Sequence, residues 1–343
     1  MLFGIDFATW WFVVFVIAVT AYTVLDGFDL GVGILHLFTK EDYERRVFMN
    51  AIGPVWDGNA VWLVIIVGGL FAGFPGAYAT IMSSFYIPVS AFLAALILRA
   101  VAIEFRSRQE SRSWRRLWDG VFFFASLLIA FGVGLLLGNM IQGIPLDQNH
   151  DFVGSLSDMF TPYTLLLGVT AVSCFVMHGV LFLVMKTEGE LHEKVRRWVN
   201  PCIIFFIVCY YITTMATLIY QHHMIKRLQD RPYLFIFALI SMLAIANVPR
   251  LVSKAKDGLA FLFSCISIAA LLVLYGIGIY PTLLRSSLDP EHNSMTVMNS
   301  SSSPLTYKIL LLIVAIGVPL VVVYGFIIYR TFRGRVKIDH HSY

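Results

Sequence analysis

The sequence predicts an all-α, polytopic integral membrane protein with nine transmembrane helices. Hydrophobic residues make up 58% of the 343 residues and charged residues only 13%, against roughly 25% charged in an average soluble domain. Nine apolar runs reach the ~20 residues that a helix needs to cross the hydrocarbon core. This composition excludes a soluble globule, a disordered chain, a coiled coil and a disulfide scaffold. A net charge of +4 leaves no basic stripe for nucleic acid.

Each apolar run is long and shows none of the alternation of barrel strands. The first run has no basic segment before it, so we expect it to be retained as a helix. The four cysteines lie inside apolar runs and predict buried hydrophobic side chains rather than metal ligands. The expected spans are approximately 8–38, 48–72, 80–104, 119–141, 162–185, 199–220, 232–250, 258–281 and 306–329.

The basic residues predict the orientation of these spans. With the N-terminus outside, the inner connectors and the C-terminal tail hold 19 of the 25 lysines and arginines, and the outer connectors hold five. The positive-inside rule therefore predicts an outer N-terminus and an inner C-terminus. No connector exceeds about 25 residues, which leaves a single membrane domain over 1–343.

A weak internal repeat divides this domain. Asp26-Gly27 is followed by an apolar turn and then basic residues, and His178-Gly179 is followed by a similar arrangement about 150 residues later. The repeat predicts two four-helix bundles, at 1–150 and 151–285, with the ninth helix and a cytoplasmic tail at 300–343. Convergent chemistry at helix ends would produce the same pattern.

A few ionisable residues fall inside the spans, where they are costly and mark candidate functional sites. Asp26, Asp29 and His36 share one face of the first span with Gly33. Asp29 and Asp57 are each about nine residues, or ~14 Å, from the inner boundary, and Arg99 is ~9 Å from it. We therefore expect Asp29, Asp57 and Arg99 to be neighbours.

Two interpretations of these charges remain open. They could form a charge-compensated structural lock between helices, or a polar patch that conducts protons from the inner side. In the second case the route would enter near Glu104, pass Arg99 with Asp29 and Asp26, and end at Asp57. Both interpretations can hold together.

The sequence predicts no haem site within this chain. A low-spin haem in a bundle needs two histidines, or a histidine and a methionine, at matched depth. His36 lies at the inner edge and His178 near mid-depth, so they are poorly matched, and a lone histidine is commonly bonded to a neighbour. Trp56, expected at mid-membrane beside Asp57, favours packing over electron transfer.

Several stretches together resemble subunit II of the cytochrome bd-type terminal quinol oxidases. These are LDGFDLGVG at 25–33, GPVWDGN at 53–59 with VWL at 61–63, LRAVAIEFR at 98–106, GN at 138–139 with GIPL at 143–146, FVGS at 152–155 through PY at 162–163, and HG at 178–179 with KTEG at 186–189. They run in order over the first 200 residues, whereas the last 140 match in hydropathy and span count alone.

The resemblance implies a bacterial cytoplasmic-membrane complex that oxidises ubiquinol or menaquinol on its outer side. It reduces O2 to water without proton pumping and draws the chemical protons from the cytoplasm. A homologous subunit I ligates two b haems and one haem d and binds the quinol, and a small accessory subunit can join. The family's proton-uptake aspartate corresponds to Asp57 here, and Trp56 becomes a candidate for packing against subunit I or its haems.

A proton-coupled secondary transporter is the main alternative. Many transporters contain inverted repeats and broken helices. The two halves predicted here have four spans each, and an even number gives a parallel repeat. The sequence therefore favours the oxidase subunit.

Overall fold

The computed structural model describes residues 4–337, which form twelve α-helices and one two-stranded antiparallel sheet. The helices are α1 (Phe7–Leu35), α2 (Asp42–Ile52), α3 (Trp56–Gly73), α4 (Pro75–Ser84), α5 (Tyr86–Phe105), α6 (Arg112–Gln142), α7 (Pro162–Lys186), α8 (Gly189–Tyr220), α9 (His223–Asp230), α10 (Phe235–Ser253), α11 (Asp257–Ile279) and α12 (Pro304–Thr331). The strands are β1 (Thr282–Leu284) and β2 (Met295–Thr296).

Nine of these helices, some with a flanking 3₁₀ turn, are long and apolar enough to cross a membrane among the described residues, which confirms the predicted number of spans. The spanning helices are α1, α3, α5, α6, α7, α8, α10, α11 and α12. The chain is therefore a multi-pass membrane protein. The short helices α2, α4 and α9 belong to the connectors.

The predicted start of the second span is wrong. Residues 42–52 form the separate helix α2, and the spanning helix α3 begins only at Trp56. Pro54 lacks the backbone N–H that a continuous helix would need, so the chain breaks after Gly53. The helix α2 buries Phe48 and Ile52 and exposes Asp42, which makes it amphipathic, and it also buries the charged Glu44.

Other predicted boundaries shift for related reasons. The third span begins at Tyr86 rather than near residue 80, because Phe85 is non-helical and separates α4 from α5. The helix α8 begins at Gly189, ten residues before the predicted 199, and includes Pro201. An apolar run marks only the part of a helix that lies in hydrocarbon, so a charged helical extension is missed.

The helices α1 and α7 cross closely at two glycines. A Cβ atom added to Gly31 would lie 1.9 Å from the backbone oxygen of Phe175, and one added to Gly179 would lie 2.6 Å from the carbonyl carbon of Gly31. Backbones approach this closely only where side chains are absent. The two glycines therefore allow direct backbone contact between α1 and α7, and α1 also packs against α3, α6 and α11.

Ion pairs join the connectors at one end of the bundle, which we call the basic end. It comprises the connectors α1–α2, α5–α6, α7–α8 and α10–α11 with the tail after α12. Lys194 Nζ lies 2.6 Å from Glu44 Oε2, and Arg196 Nη1 lies 2.8 Å from Asp257 Oδ1. At the opposite end, Ile144 forms a β-bridge with Ser286, beside the sheet of β1 and β2.

Candidate functional site

The polar face of α1 predicted from the sequence is buried. Asp26, Asp29 and His36 are fully buried, and Arg99 on α5 is 2% exposed. Residues three, four and seven apart share a helix face, so this polar face of α1 turns toward α3, α5 and α6 rather than toward lipid. The structure thus brings Asp26, Asp29 and Arg99 into one cluster.

Asp26 and Arg99 form a two-pronged ion pair. Arg99 Nη1 donates to Asp26 Oδ2 at 2.8 Å, and Nη2 donates to Oδ1 at 2.6 Å. The planar guanidinium matches a carboxylate in this geometry, and the paired charges satisfy both oxygens. The pair joins α1 to α5 in the membrane interior.

Asp29 has a different environment, because its protein hydrogen-bond donor is neutral. Asn59 Nδ2 on α3 donates to Asp29 Oδ2 at 2.7 Å and to the Leu25 carbonyl at 3.1 Å. Tyr329 on α12 donates its hydroxyl to Asn59 Oδ1 at 2.9 Å. Asp29 Oδ1 is buried and has no partner within residues 4–337. One carboxylate oxygen of this cluster is therefore available to a proton.

The expected contact between Asp57 and Arg99 is wrong. Asp57 is exposed on α3, and Asn59 is the residue that faces Asp29. Two residues along a helix are turned by about 200°, so Asp57 points away from the cluster. Asp57 lies in the first turn of α3, which begins at Trp56 rather than near residue 48.

Trp56 and Glu104 occupy the edges of this region. Trp56 is half-buried in the first turn of α3 and packs against the main hydrophobic core. Glu104 is half-buried one residue before the end of α5, at the basic end. Neither residue reaches Asp29 through a direct hydrogen bond.

Asn59 and Tyr329 were missed by the sequence reasoning. Neither is ionisable at neutral pH, so neither stands out as a costly residue inside a span. Asn59 lies within the GPVWDGN stretch at 53–59, where a polar amide inside an apolar span is a usable signal. Tyr329 had no such signal, since tyrosine is common near membrane interfaces.

A second buried network lies at the basic end around Asp119 on α6. Its Oδ1 atom is 2.6 Å from His36 Nε2 and 2.5 Å from Arg106 Nε, and its Oδ2 atom is 2.6 Å from Arg45 Nη1. Asp42 accepts from Arg106 and from Arg115. The network ties α1, α2, α5 and α6 together, a role that the sequence did not reveal for His36.

His178 lies at the crossing of α1 and α7 and is hydrogen-bonded at both ring nitrogens. Its Nδ1 atom is 2.7 Å from Ser264 Oγ, and its Nε2 atom is 3.0 Å from the Val24 carbonyl oxygen. The ring also stacks on Phe261 at a centroid distance of 4.7 Å. The expectation of a histidine bonded to its neighbours is confirmed. Both nitrogens would have to leave these partners before binding a metal.

A cavity of about 370 Å³ lies between α1, α3 and α12. Asn59 and Tyr329 line this cavity together with Gly58, Trp62 and Tyr324. Among residues 4–337, no three histidine, cysteine, aspartate or glutamate side chains are grouped as metal ligands.

Comparison with known proteins places these features in a family. Residues 7–332 match the family described as cytochrome bd terminal oxidase subunit II. The chain is 33% identical over 332 residues to cytochrome bd ubiquinol oxidase subunit 2 of Bacillus subtilis (strain 168), covering 95% of this chain and 96% of that protein. It is 29% identical over 358 residues to cytochrome bd-I ubiquinol oxidase subunit 2 of Escherichia coli (strain K12), covering 95% and 94%.

The fold is shared with a solved structure described as bd oxidase from Geobacillus thermodenitrificans. The TM-score is 0.78 at 17% identity, covering 95% of this chain and 98% of that chain. The family match extends past residue 200, where the recognisable motifs end, so it includes α9 to α12. The comparisons do not favour a transporter. The chain belongs to the cytochrome bd terminal oxidase subunit II family and is a subunit of a quinol oxidase, an oxidoreductase.

Proposed function

We propose that this chain supports a haem-bearing subunit I and helps to deliver the protons consumed in oxygen reduction. The complex would lie in a bacterial cytoplasmic membrane with the N-terminus outside and the basic end in the cytoplasm. It would oxidise ubiquinol or menaquinol at the outer side and reduce O2 to water without pumping protons. Membership of the subunit II family and the 19 basic residues at one end support this arrangement.

We further propose that haem b and haem d are ligated by subunit I and that this chain binds no haem alone. The chemistry of the histidines supports the proposal. His178 is bonded at both ring nitrogens, and the Nε2 atom of His36 is bonded to Asp119. We also propose a small accessory subunit, membrane lipids and quinone as further partners of the complex. The two four-helix halves at 1–150 and 151–285, with 300–343 added, remain our proposed organisation.

The single observation that supports proton delivery is the contrast between Asp29 and Asp26. Both carboxylates are fully buried, but only Asp26 is matched by a cation. An ionised carboxylate without a paired charge is costly in a membrane interior. Asp29 Oδ1 can accept a proton without breaking a protein hydrogen bond, since Asn59 bonds the other oxygen.

Asp57 would be the exit from this chain. It is an exposed carboxylate at the start of a membrane-spanning helix, where contact with lipid alone would be costly. We propose that this face of α3 lies against subunit I, with Trp56 packing nearby. Protons would enter at the basic end near Glu104, pass the Arg99, Asp26 and Asp29 cluster, and reach the partner at Asp57.

The structural-lock interpretation applies to Arg99 and Asp26 rather than to Arg99 and Asp57. Arg99 is bonded to Asp26, so removing Asp57 would not leave Arg99 unpaired, contrary to the expectation from sequence. Arg99 would regulate the cluster electrostatically, because a guanidinium hardly deprotonates. The structural lock and the proton relay would then coexist. Asp26 would belong to the lock, and Asp29 and Asp57 would belong to the relay.

The proposal is tested by quinol-driven O2 consumption of the Asp57→Asn complex at equal haem content. The amide keeps the shape of the side chain and removes its proton affinity, so turnover should fall while haem content stays unchanged. Glu110→Gln is the matched control, because Glu110 is an exposed acid at the same end and lies outside α3. Normal turnover of Asp57→Asn from neutral to alkaline pH would refute the relay, and loss of haem would favour a structural role.

A further inference from the structure

Three buried polar atoms without a protein partner follow the same face of α1 from the basic end inward. They are His36 Nδ1, Ser126 Oγ on α6 and Asp29 Oδ1. All three side chains belong to residues that are fully buried. Buried polar atoms are ordinarily satisfied, and ordered water is the usual partner where protein supplies none.

The side chain of Ser126 on α6 packs against Gly33 of α1, which has no side chain. A Cβ atom added to Gly33 would lie 2.1 Å from Ser126 Oγ and 2.7 Å from Ser126 Cβ. The serine hydroxyl therefore lies against the backbone of α1 where residue 33 would project. Because Gly33 lies between His36 and Asp29 on this face, the hydroxyl lies between their side chains.

His36 connects this face to the ionic network at the basic end. Its Nε2 atom is bonded to Asp119, while its ring packs edge-on against Phe122 at a centroid distance of 5.3 Å. Phe122 is one helical turn before Ser126 on α6. Arg45, which also bonds Asp119, has a side chain 20% exposed, so solvent reaches the edge of the network.

The positions of these groups along α1 are separated by about one helical turn each. Gly33 lies three residues from His36, or ~4.5 Å along the helix axis, and four residues from Asp29, or ~6 Å. One turn beyond Ser126, α6 carries the small and fully buried Ala130. One or two water molecules would bridge the gap between His36 and Ser126 and the gap between Ser126 and Asp29.

We propose that His36, Ser126 and Asp29 form a proton line through this subunit, distinct from the entry near Glu104. The Asp119 carboxylate accepts the Nε2–H of the neutral His36 ring, so a proton that arrives through water from the inner solution forms an N–H bond at Nδ1, and the resulting imidazolium is held by Asp119. The Nδ1–H bond then breaks, the proton passes through water and the Ser126 hydroxyl, and an O–H bond forms at Asp29 Oδ1. This line rests on the proposed function, in which Asp29 receives protons.

The test uses Ser126→Ala in the assembled complex. The Ser126 hydroxyl has no protein partner, so removing it takes away no protein hydrogen bond and should leave haem content unchanged. Ser241→Ala is the matched control, since Ser241 on α10 is also fully buried with an unpartnered hydroxyl but lies outside this line. His36→Gln removes the titrating ring while retaining a donor toward Asp119.

We expect quinol-driven O2 consumption of Ser126→Ala to fall by about tenfold, because a positioned proton-transfer group contributes roughly 10²–10⁴-fold and ordered water replaces part of it. The solvent deuterium isotope effect should rise, since proton transfer becomes limiting, a change that a purely structural defect would not produce. His36→Gln should show the same fall in O2 consumption and the same rise in isotope effect, and Ser241→Ala should match the unsubstituted complex in both.

Normal turnover and an unchanged isotope effect in Ser126→Ala would overturn the line. The Asp29→Asn complex then separates the two proposals. If turnover is low in Asp29→Asn but normal in Ser126→Ala, protons reach Asp29 by another entry. Reduced turnover in Glu104→Gln would then identify the entry near Glu104. Normal turnover in both Asp29→Asn and Asp57→Asn would remove the proposed function itself.

Discussion

Asp26 and Asp29 lie one turn apart on the same buried face of α1, yet a cation pairs with only one of them. Arg99 bonds both oxygens of Asp26, whereas Asp29 receives one bond from the neutral amide of Asn59. A bidentate guanidinium occupies both oxygens of a carboxylate, whereas a carboxylate with a free oxygen can accept a proton there. This difference is the reason we propose a structural role for Asp26 and a transfer role for Asp29.

The first prediction concerns the lock between α1 and α5. Arg99→Leu leaves Asp26 buried without its partner, which should destabilise the complex by about 3–5 kcal/mol. Thermal unfolding of the purified complex measures the loss. Asp26→Leu with Arg99→Leu should recover most of it, because no unpaired charge remains.

Arg108→Leu is the control for this lock. Arg108 is an exposed arginine at the same end of α5, so its removal should change stability by less than about 0.5 kcal/mol. If the double variant were no more stable than Arg99→Leu alone, the pairing would not account for the effect.

The second prediction concerns Tyr329, which links α12 to the cluster. Tyr329→Phe leaves Asn59 Oδ1 without its donor in a buried position, and this should cost about 1–3 kcal/mol. Tyr324→Phe on the same helix is the control, because Tyr324 is 52% exposed and bonds no cluster residue. Equal melting temperatures for the two variants would contradict the linkage.

The sequence predicted the buried acidic face of α1 because helical spacing alone puts Asp26, Asp29 and His36 together. It did not predict the pairing of Asp26 with Arg99, since the relative register of α1 and α5 depends on packing between helices. The start of α3 was predicted too early because the apolar run continues through the break at Pro54, which hydropathy does not detect. Tyr329 comes from the far end of the chain, and only the fold brings it to Asn59.

The third prediction concerns pH and the ion pair between α2 and α8. Burial opposes ionisation of Glu44, but hydrogen bonds from Lys194 and from the N–H groups of Lys40 and Glu41 outweigh it and lower the pKa of its carboxyl from about 4.5. The pKa of Glu44 is lower in the folded protein than in the unfolded chain. The stabilisation that ionised Glu44 gives to the folded state is therefore complete above the unfolded pKa of about 4.5, and it is lost as the pH falls through the folded pKa.

Glu44→Gln should therefore lower stability at pH 7 by about 1–2 kcal/mol. The difference from the unsubstituted complex should shrink as the pH falls below 4.5, where Glu44 also becomes neutral. Melting temperatures measured over that pH range provide the check, with the exposed Glu110→Gln as control. A difference that did not depend on pH would point to lost packing rather than lost charge.

The fourth prediction is the orientation in the membrane. A reporter fused after the C-terminal tail should be active in the cytoplasm, because 19 of the 25 basic residues lie in the connectors and tail at that end. A reporter fused in the loop between β1 and β2 should be active outside. A C-terminal fusion active only in the external compartment would reverse the proposed direction of proton entry.

The central claim is that Asp29 accepts a proton on its way to oxygen reduction. It is tested most directly by quinol-driven O2 consumption of the Asp29→Asn complex at equal haem content. Asparagine retains an oxygen for the Asn59 amide and loses the titrating group. We predict a fall in turnover of about tenfold or more with melting temperature nearly unchanged. Turnover equal to that of the unsubstituted complex would contradict the account.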